Sequence, residues 1–531
     1  MKYPIGIQSF DQIVEDGYVY VDKTDLIYSL VKGGKIYFLS RPRRFGKSLL
    51  MSTLKNYFLG RKELFRGLAI DRLEKDWQSY PVFHIDFNGR DFTREGTLEQ
   101  VLEWYVSQWE EEYGLMADCK SSVVGDRFIR LLGQVHEQCG RRAVVLIDEY
   151  DKPILDVLDT NLETLVDGNR ILLENRNRNV LKGFYSVFKA ADEHLQFVFL
   201  TGVTKFSQVS VFSGFNQPED ISMARRYETL CGITQDELES YFSEPIAEMA
   251  EIYRCDVPKM KQLLKQQYDG YHFSSRLVEV YNPFSLLNAF KMQELRDYWF
   301  SSGTPTYLIR LLNHTKENLD ELTGRYYGPE EFIDYKADLE KPLPMIYQSG
   351  YLTIKDYNWE DNTFLLDFPN NEVKKGFVSM VAADYLKPSV DTASWVREAV
   401  AALKKGDADK FRRLLTSFLS DIPYSMRRKE NEREKERYFH YTFYLILRLM
   451  SVYTVYTDKQ QSEGRVDCIV ETGDYVYIFE FKLDGTADEA LRQIEEKGYA
   501  RPYLNDSRKL YCIGVSFSSE TGTVDDWKVA G

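Results

Sequence analysis

Cysteine is scarce and scattered. The 531 residues hold six, at 119, 139, 231, 255, 468 and 512, and no two form a CxxC pair. That spacing excludes a zinc ribbon and a disulfide framework, and it fits a reducing compartment. Histidine is equally rare, six residues spread along the chain. His84 in a strand and His440 on an apolar helix are expected as core residues rather than metal ligands. No run of about 18 apolar residues is present, so no membrane-spanning helix is expected. The opening "MKYPIGIQSFDQ" lacks the apolar core of a secretory signal. Repeats and low-complexity tracts are missing too. Positive charge is in deficit: 68 Lys and Arg against 82 Asp and Glu give a net charge of −14. Such a surface as a whole does not attract nucleic acid. Any contact with it must come from a local groove and be salt-sensitive. The expectation is a cytoplasmic protein without a membrane partner.

What is present is a globular composition, 44% hydrophobic and 14% aromatic. The chain is too long for one core, so two to four domains are expected. One boundary is expected near 225–235, after the strand read at 195–207 and its loop. A second lies near 380–425, where "WVREAVAALKKGDADKFRRLL" leads toward the C-terminus. The division is therefore 1–228, 229–380 as a mostly helical middle or lid, and 381–531. The mixed-sign run "RRKENEREKER" at 427–437 is expected to be a solvated helix face.

In the N-terminal third, Ile36 to Ser40 reads as an apolar strand and Ser48 to Phe58 as a helix. Between them stands "RPRRFGKS". Strand, loop ending Gly-Lys-Ser, helix is the context of a phosphate-binding loop. Gly46 and the loop amides would hold phosphates at the helix start. Lys47 would reach the β- and γ-phosphates and Ser48 would bind Mg²⁺. The motif's first glycine is replaced by Arg41, a residue that resists positive φ. Arg41, Arg43 or Arg44 is expected to add phosphate contacts. "RAVVLIDEYDKPI" at 142–154 is a strand ending in Asp148, placed to hold Mg²⁺, and Glu149, placed to orient the attacking water. "LQFVFLTGVTKFS" at 195–207 ends its strand in Thr201, a candidate γ-phosphate sensor. "PVFHIDF" at 81–87 supplies a fourth strand. Strands alternating with helices predict an α/β fold, a parallel sheet covered on both faces. Its ligand site lies at the carboxyl ends of the strands.

Near the C-terminus, "GRVDCIVETGDYVYIFEFKLDG" predicts two antiparallel strands, Arg465 to Val470 and Tyr475 to Leu483. Gly473-Asp474 suits a two-residue type II′ turn. That register sets Asp467 opposite Glu480, with Lys482 on the same face. Two facing carboxylates suit a hard divalent cation with oxygen ligands. Lys482 could then polarise a water or steady a phosphate. The competing reading is a plain Glu480–Lys482 ion pair. A buried helix is expected at 438–451, a capped helix at 486–499 and a further strand at 509–517. Glu463 or Glu436 could add an acid.

At this point the chain resembles a known family. "YVYVDKT" (18–24), "SRPRRFGKS" (40–48), "LIDEYDKP" (146–153), "VFSGFNQPEDIS" (211–222), "YDGYHF" (268–273), "YNPFSLL" (281–287), "QSGYLTI" (348–354) and the stretch 464–500 are similar, in order, to bacterial AAA-ATPase-like proteins with a C-terminal PD-(D/E)XK nuclease-like domain. In that family the arginine-rich loop without the first glycine is usual. The resemblance implies an ASCE-type P-loop ATPase with Lys47, Ser48, Asp148 and Glu149 in the standard roles. It also implies a restriction-endonuclease-like α/β domain with Asp467, Glu480 and Lys482 as its core triad and Gln493 beside it.

In the middle, Thr234 and Glu237 form an expected capping box. Arg225 and Arg226 are candidate arginine fingers, weighed against surface ion pairs. The aromatics of "YDGYHF" and "YWFSSGTPTYL" suit either base stacking or packing between elements. "YVYVDKT" is expected to pack over the nucleotide or to form an edge strand. The combined expectation is a Mg²⁺-dependent ATPase coupled to a nuclease that uses Mg²⁺ or Mn²⁺ on nucleic acid, DNA ahead of RNA. The alternative is a nucleotide-dependent regulatory scaffold whose nuclease-like domain binds without cutting. Assembly as a homo-oligomer is left open.

Overall fold

The computed structural model describes residues 1–115, 123–166, 168–205, 218–301, 322–333, 342–386, 392–420, 456–457, 460–461, 464–465 and 467–530. The chain divides into two compact units, Met1–Val373 and Lys374–Gly531. The helix expected at 438–451, the charged run at 427–437, and Glu436, Glu463 and His440 lie outside the described residues, as does most of 211–222.

The first unit is built on a parallel sheet. Its strands lie in the order Val82–Asp86, Ala143–Asp148, Leu195–Gly202, Ile36–Ser40, Glu219–Asp220. Val144, Leu146, Phe197, Phe199 and Phe38 are buried, as expected when helices cover both faces. The strand ending in Thr201 is inserted between the P-loop strand and the strand ending in Asp148. Consequently Lys47 and Asp148 approach each other at the carboxyl edge without their strands pairing. The helix Lys47–Phe58 begins directly after Gly46, whose φ is +90°.

The rest of this unit holds helices Gln235–Ile252, Val257–Tyr268 and Pro283–Met292, packed around Phe242, Met249, Leu264, Tyr268 and Phe290. The capping box predicted at Thr234 and Glu237 is formed. Beside these helices lies an antiparallel sheet of Arg325–Tyr327, Thr363–Asp367 and Thr353–Asn358.

The second unit carries a mixed sheet in the order Tyr456–Thr457, Cys468–Glu471, Tyr475–Leu483, Lys509–Phe517, Val524–Ala530. The pairs Cys468↔Phe479 through Glu471↔Val476 extend to Thr472 opposite Tyr475, so the turn has two residues as expected. It is not type II′, because Gly473 is not left-handed. The Thr472 hydroxyl instead accepts the Tyr475 N–H at 3.0 Å and closes the turn. The helix Ala487–Glu496 starts in a formed capping box of Thr486 and Glu489. Its Ile494 packs on Ile478 and Val476. Tyr477 and Phe479 point to the other face, where Phe479 meets Phe411 and Trp527. Among the described residues no helix is long and apolar enough to cross a membrane.

Candidate functional site

The first unit has an open cavity of about 440 Å³ beside the P-loop. Lys47, Ser48, Gly46, Arg43, Arg44 and Glu149 line it. Asp148 joins them through a hydrogen bond with Ser48. It is 1% exposed, and burial pushes its carboxyl up to about 6. The Ser48 hydrogen bond and the Lys47 charge pull it down, whereas Asp86 and Glu149 push it further up. One Asp148 oxygen accepts the Glu149 N–H at 3.0 Å. Glu149 itself takes a left-handed φ of +51° at the strand end. The Lys47 amine donates to the carbonyls of Arg41 and Pro42 at 3.0 and 3.2 Å. Hard oxygens from the half-buried Ser48 and the buried Asp148, next to a lysine at a helix N-terminus, fit Mg²⁺ and polyphosphate.

Arg41 and Thr201 are both held by main-chain carbonyls. Arg41 does not reach toward phosphate. It is 1% exposed and donates to the carbonyls of Ser40, Ser222 and Tyr227 at 2.9, 2.7 and 3.3 Å. Its guanidinium lies 4.0 Å over the Phe273 ring. The left-handed residues of the loop are Arg44, at φ +69°, and Gly46, so Arg41 bears no backbone strain of that kind. Thr201 is likewise turned away from the cavity. Fully buried, it donates its hydroxyl to the Leu39 carbonyl at 2.9 Å, across to the P-loop strand.

The middle segments converge on this loop. Phe45 packs edge-on against Tyr271 and Phe273. Arg44 lies 4.8 Å over Phe284. Trp299 donates its indole N–H to the Arg43 carbonyl at 3.0 Å. Gly350 lets Pro42 approach so closely that a β-carbon there would stand 2.6 Å from Pro42 Cβ. The aromatics of "YDGYHF" therefore pack against the P-loop. Arg225 and Arg226 are exposed and do not line the cavity, and Arg225 donates to Ser275 Oγ at 3.0 Å. "YVYVDKT" forms neither strand nor cavity wall. Its Asp22 caps Thr24 at 2.9 Å and holds the Ala69 N–H at 2.7 Å, while Lys23 bonds Glu237.

Two acids escaped the sequence reading. Asp151 is buried and holds the Val203 and Thr204 N–H groups at 3.0 and 2.6 Å, fixing the end of the strand Leu195–Gly202. Asp86 stands in register with Asp148 at the end of the neighbouring strand. An acid at the carboxyl end of a parallel strand was the available signal for Asp86.

In the second unit the four expected residues come together. Asp467 stands one residue before the strand Cys468–Glu471, and its Oδ2 accepts the Phe481 N–H at 2.9 Å. Glu480 is 1% exposed on the face covered by the helix Ala487–Glu496. From that helix Gln493 donates its amide N–H to Glu480 Oε1 and accepts the Lys482 amine through its oxygen. Lys482 Nζ stands 3.9 Å from Glu480 Oε1. Gly514 lies in register with Glu480 on the next strand. A β-carbon there would collide with the Ala487 carbonyl, so glycine permits the helix to come near enough for Gln493 to reach. Tyr499 is a further residue that sequence reading passed over. It is raised above the usual tyrosine range by burial and by the Glu480 and Asp467 charges, against a hydrogen bond with Gln493. Two carboxylates with water filling the remaining positions fit a hard divalent ion.

Comparison with known proteins gives three findings. Residues 4–212 match the family model described as predicted AAA-ATPase. Residues 434–527 match the PD-(D/E)XK nuclease superfamily. A protein of Azotobacter chroococcum mcd 1, described as an uncharacterized protein in the vnfD 5′ region, is 35% identical over 530 residues, covering 98% of both chains.

Proposed function

Because the chain belongs to the AAA-ATPase-like proteins with a PD-(D/E)XK nuclease-superfamily domain, we propose that it hydrolyses ATP in the first unit and cuts DNA in the second. The observation that carries the ATPase reading is that Lys47, Ser48 and Glu149 line one cavity, with Asp148 hydrogen-bonded to Ser48. Lys47 exchanges its loop carbonyls for β- and γ-phosphate oxygens. Ser48 and Asp148 hold Mg²⁺, which when bound neutralises charge on the phosphates. Glu149 orients the attacking water. Gly46 and its neighbours supply main-chain N–H groups at the helix start.

In the second unit Asp467 and Glu480 are the ligands for Mg²⁺ or Mn²⁺, whose bound form supplies an acidified water and charge stabilisation. Lys482 holds a water or a phosphate oxygen for in-line attack on the phosphodiester. Gln493 fixes the carboxylate and the amine relative to each other. DNA is the proposed substrate ahead of RNA, and the cytoplasm is the proposed location.

Steady-state ATP turnover tests the first half. Lys47→Ala is expected to abolish binding and turnover. Glu149→Gln is expected to keep binding and lose turnover by at least about a hundredfold. Full turnover in either variant would remove the assignment.

A further inference from the structure

Glu149 stands in a backbone conformation that its side chain disfavours. It follows the buried strand Ala143–Asp148, and its φ is +51°. A β-carbon crowds that left-handed region, so a residue other than glycine stays there only where its surroundings over-determine it. Here they do. Asp148 Oδ1 accepts the Glu149 N–H at 3.0 Å. The Glu149 carbonyl accepts the Lys152 N–H at 3.0 Å, and the Tyr150 N–H donates to the Thr201 carbonyl at 3.0 Å.

The two residues after Glu149 then close on Thr204. Asp151 Oδ2 accepts the Val203 and Thr204 N–H groups at 3.0 and 2.6 Å and the Thr204 hydroxyl at 2.7 Å. The Tyr150 hydroxyl donates to the Thr204 carbonyl at 2.9 Å. Both main-chain polar groups of Thr204 and its hydroxyl are thus held from one side. Tyr150, Asp151 and Thr204 are all buried, so water does not compete for these bonds. The Tyr150 ring also stands edge-on to Phe38 of the P-loop strand, centroids 5.3 Å apart. Gly202 admits the clamp, because a β-carbon there would collide with the Asp151 carboxylate and the Tyr150 ring. Strand pairing does not require it. The ladder between Ala143–Asp148 and Leu195–Gly202 ends at Ile147 opposite Leu200, before the clamp is reached. What the clamp adds is a fixed backbone at Glu149.

We propose that Asp151 is a positioning residue for Glu149: by locking Thr204 it holds the left-handed turn that sets the Glu149 carboxylate into the cavity beside Lys47 and Ser48. The proposal rests on the reading that Glu149 orients the attacking water, and it deepens that reading. Asp151 does not line the cavity, so its effect passes through Glu149.

The test measures steady-state ATP turnover, and Mg–ADP affinity by calorimetric titration, on the full-length chain. Wild type, Asp151→Ala, Glu149→Gln and the double variant are compared. Asp151→Ala is expected to lower kcat about tenfold or more and to change ADP affinity less than about threefold. In the Glu149→Gln background it is expected to cost less than about twofold further, because nothing is left to position. A merely structural role would weaken affinity along with kcat, or cost the same factor in both backgrounds; either result overturns the proposal. So does an unchanged kcat in Asp151→Ala, and the ATPase reading then stands if Glu149→Gln has lost turnover. If Asp151→Ala does not fold, Tyr150→Phe decides. It lacks only the bond to the Thr204 carbonyl and is expected to lower kcat about threefold at unchanged affinity; an unchanged kcat overturns the proposal. If the wild type turns over no ATP, the ATPase reading and the proposal fall together.

Discussion

The indole of Trp299 donates a hydrogen bond to the main-chain oxygen of Arg43, 3.0 Å away. The two residues are 256 positions apart, and the bond ties the middle of the chain to the phosphate-binding loop. A hydrogen bond of this kind is worth about 1 kcal/mol net. Trp299→Phe keeps the ring that packs on Tyr351 but loses the donor. Titration with ATP is expected to show about fivefold weaker binding with little change in the melting temperature. Unchanged affinity would mean that the bond does not shape the loop.

Arg41 occupies the position where the general phosphate-binding motif has glycine. Restoring that glycine is expected to harm this protein. Arg41→Gly strips donors from three carbonyls, two buried and one half-buried, and empties the space over Phe273. The expected loss is about 3 kcal/mol or more, read as a lower urea midpoint. An unchanged midpoint would contradict the structural role given to Arg41.

Glu372 accepts the Trp299 N–H at 2.6 Å and is 1% exposed. Burial raises its carboxyl from 4.5 to about 8. The folded state therefore holds a proton that the unfolded chain releases. Its stabilising effect is complete below about pH 4.5 and is lost as pH rises through about 8. Glu372→Gln keeps an acceptor and cannot ionise. Relative to wild type it is expected to gain stability between pH 5 and pH 9, by up to a few kcal/mol. Parallel stability curves for the two proteins would show that Glu372 does not titrate in this window.

Gly514→Ala places a methyl group against the Ala487 carbonyl. The helix must move outward, and Gln493 then loses its double contact with Glu480 and Lys482. Overpacking of this kind costs about 1–3 kcal/mol. The expected readouts are a lower melting temperature for the second unit and a smaller thermal shift on adding Mn²⁺. Gln493→Ala should reduce the Mn²⁺ shift without the steric loss, which separates the two effects.

Much of this was legible in the sequence. The strand Tyr475–Leu483 and the register that sets Cys468 opposite Phe479, next to Asp467 and Glu480, followed from side-chain alternation and a two-residue turn, both local properties. The capping boxes at Thr234 and Thr486 followed from spacing alone. The strand order, and with it the separation of Lys47's strand from that of Asp148, did not follow, because parallel neighbours are chosen by tertiary packing. For the same reason the burial of Arg41 was invisible. Its partners Ser222, Tyr227 and Phe273 lie about 180 residues or more away. Thr201 was read from its place at a strand end, but a hydroxyl's direction depends on the neighbouring carbonyl, here that of Leu39. The convergence of Trp299, Phe284 and Gly350 on the loop is also long-range, and periodicity carries no trace of it.

The central question is whether the second unit cuts nucleic acid. Supercoiled plasmid and single-stranded DNA would be incubated with Mg²⁺ or Mn²⁺, with and without ATP, using wild type, Glu480→Ala and Lys47→Ala. The predicted result is metal-dependent cleavage by the wild type, none by Glu480→Ala, and an altered response to ATP in Lys47→Ala. Absence of cleavage by the wild type under every condition, or equal cleavage by Glu480→Ala, would contradict the nuclease assignment.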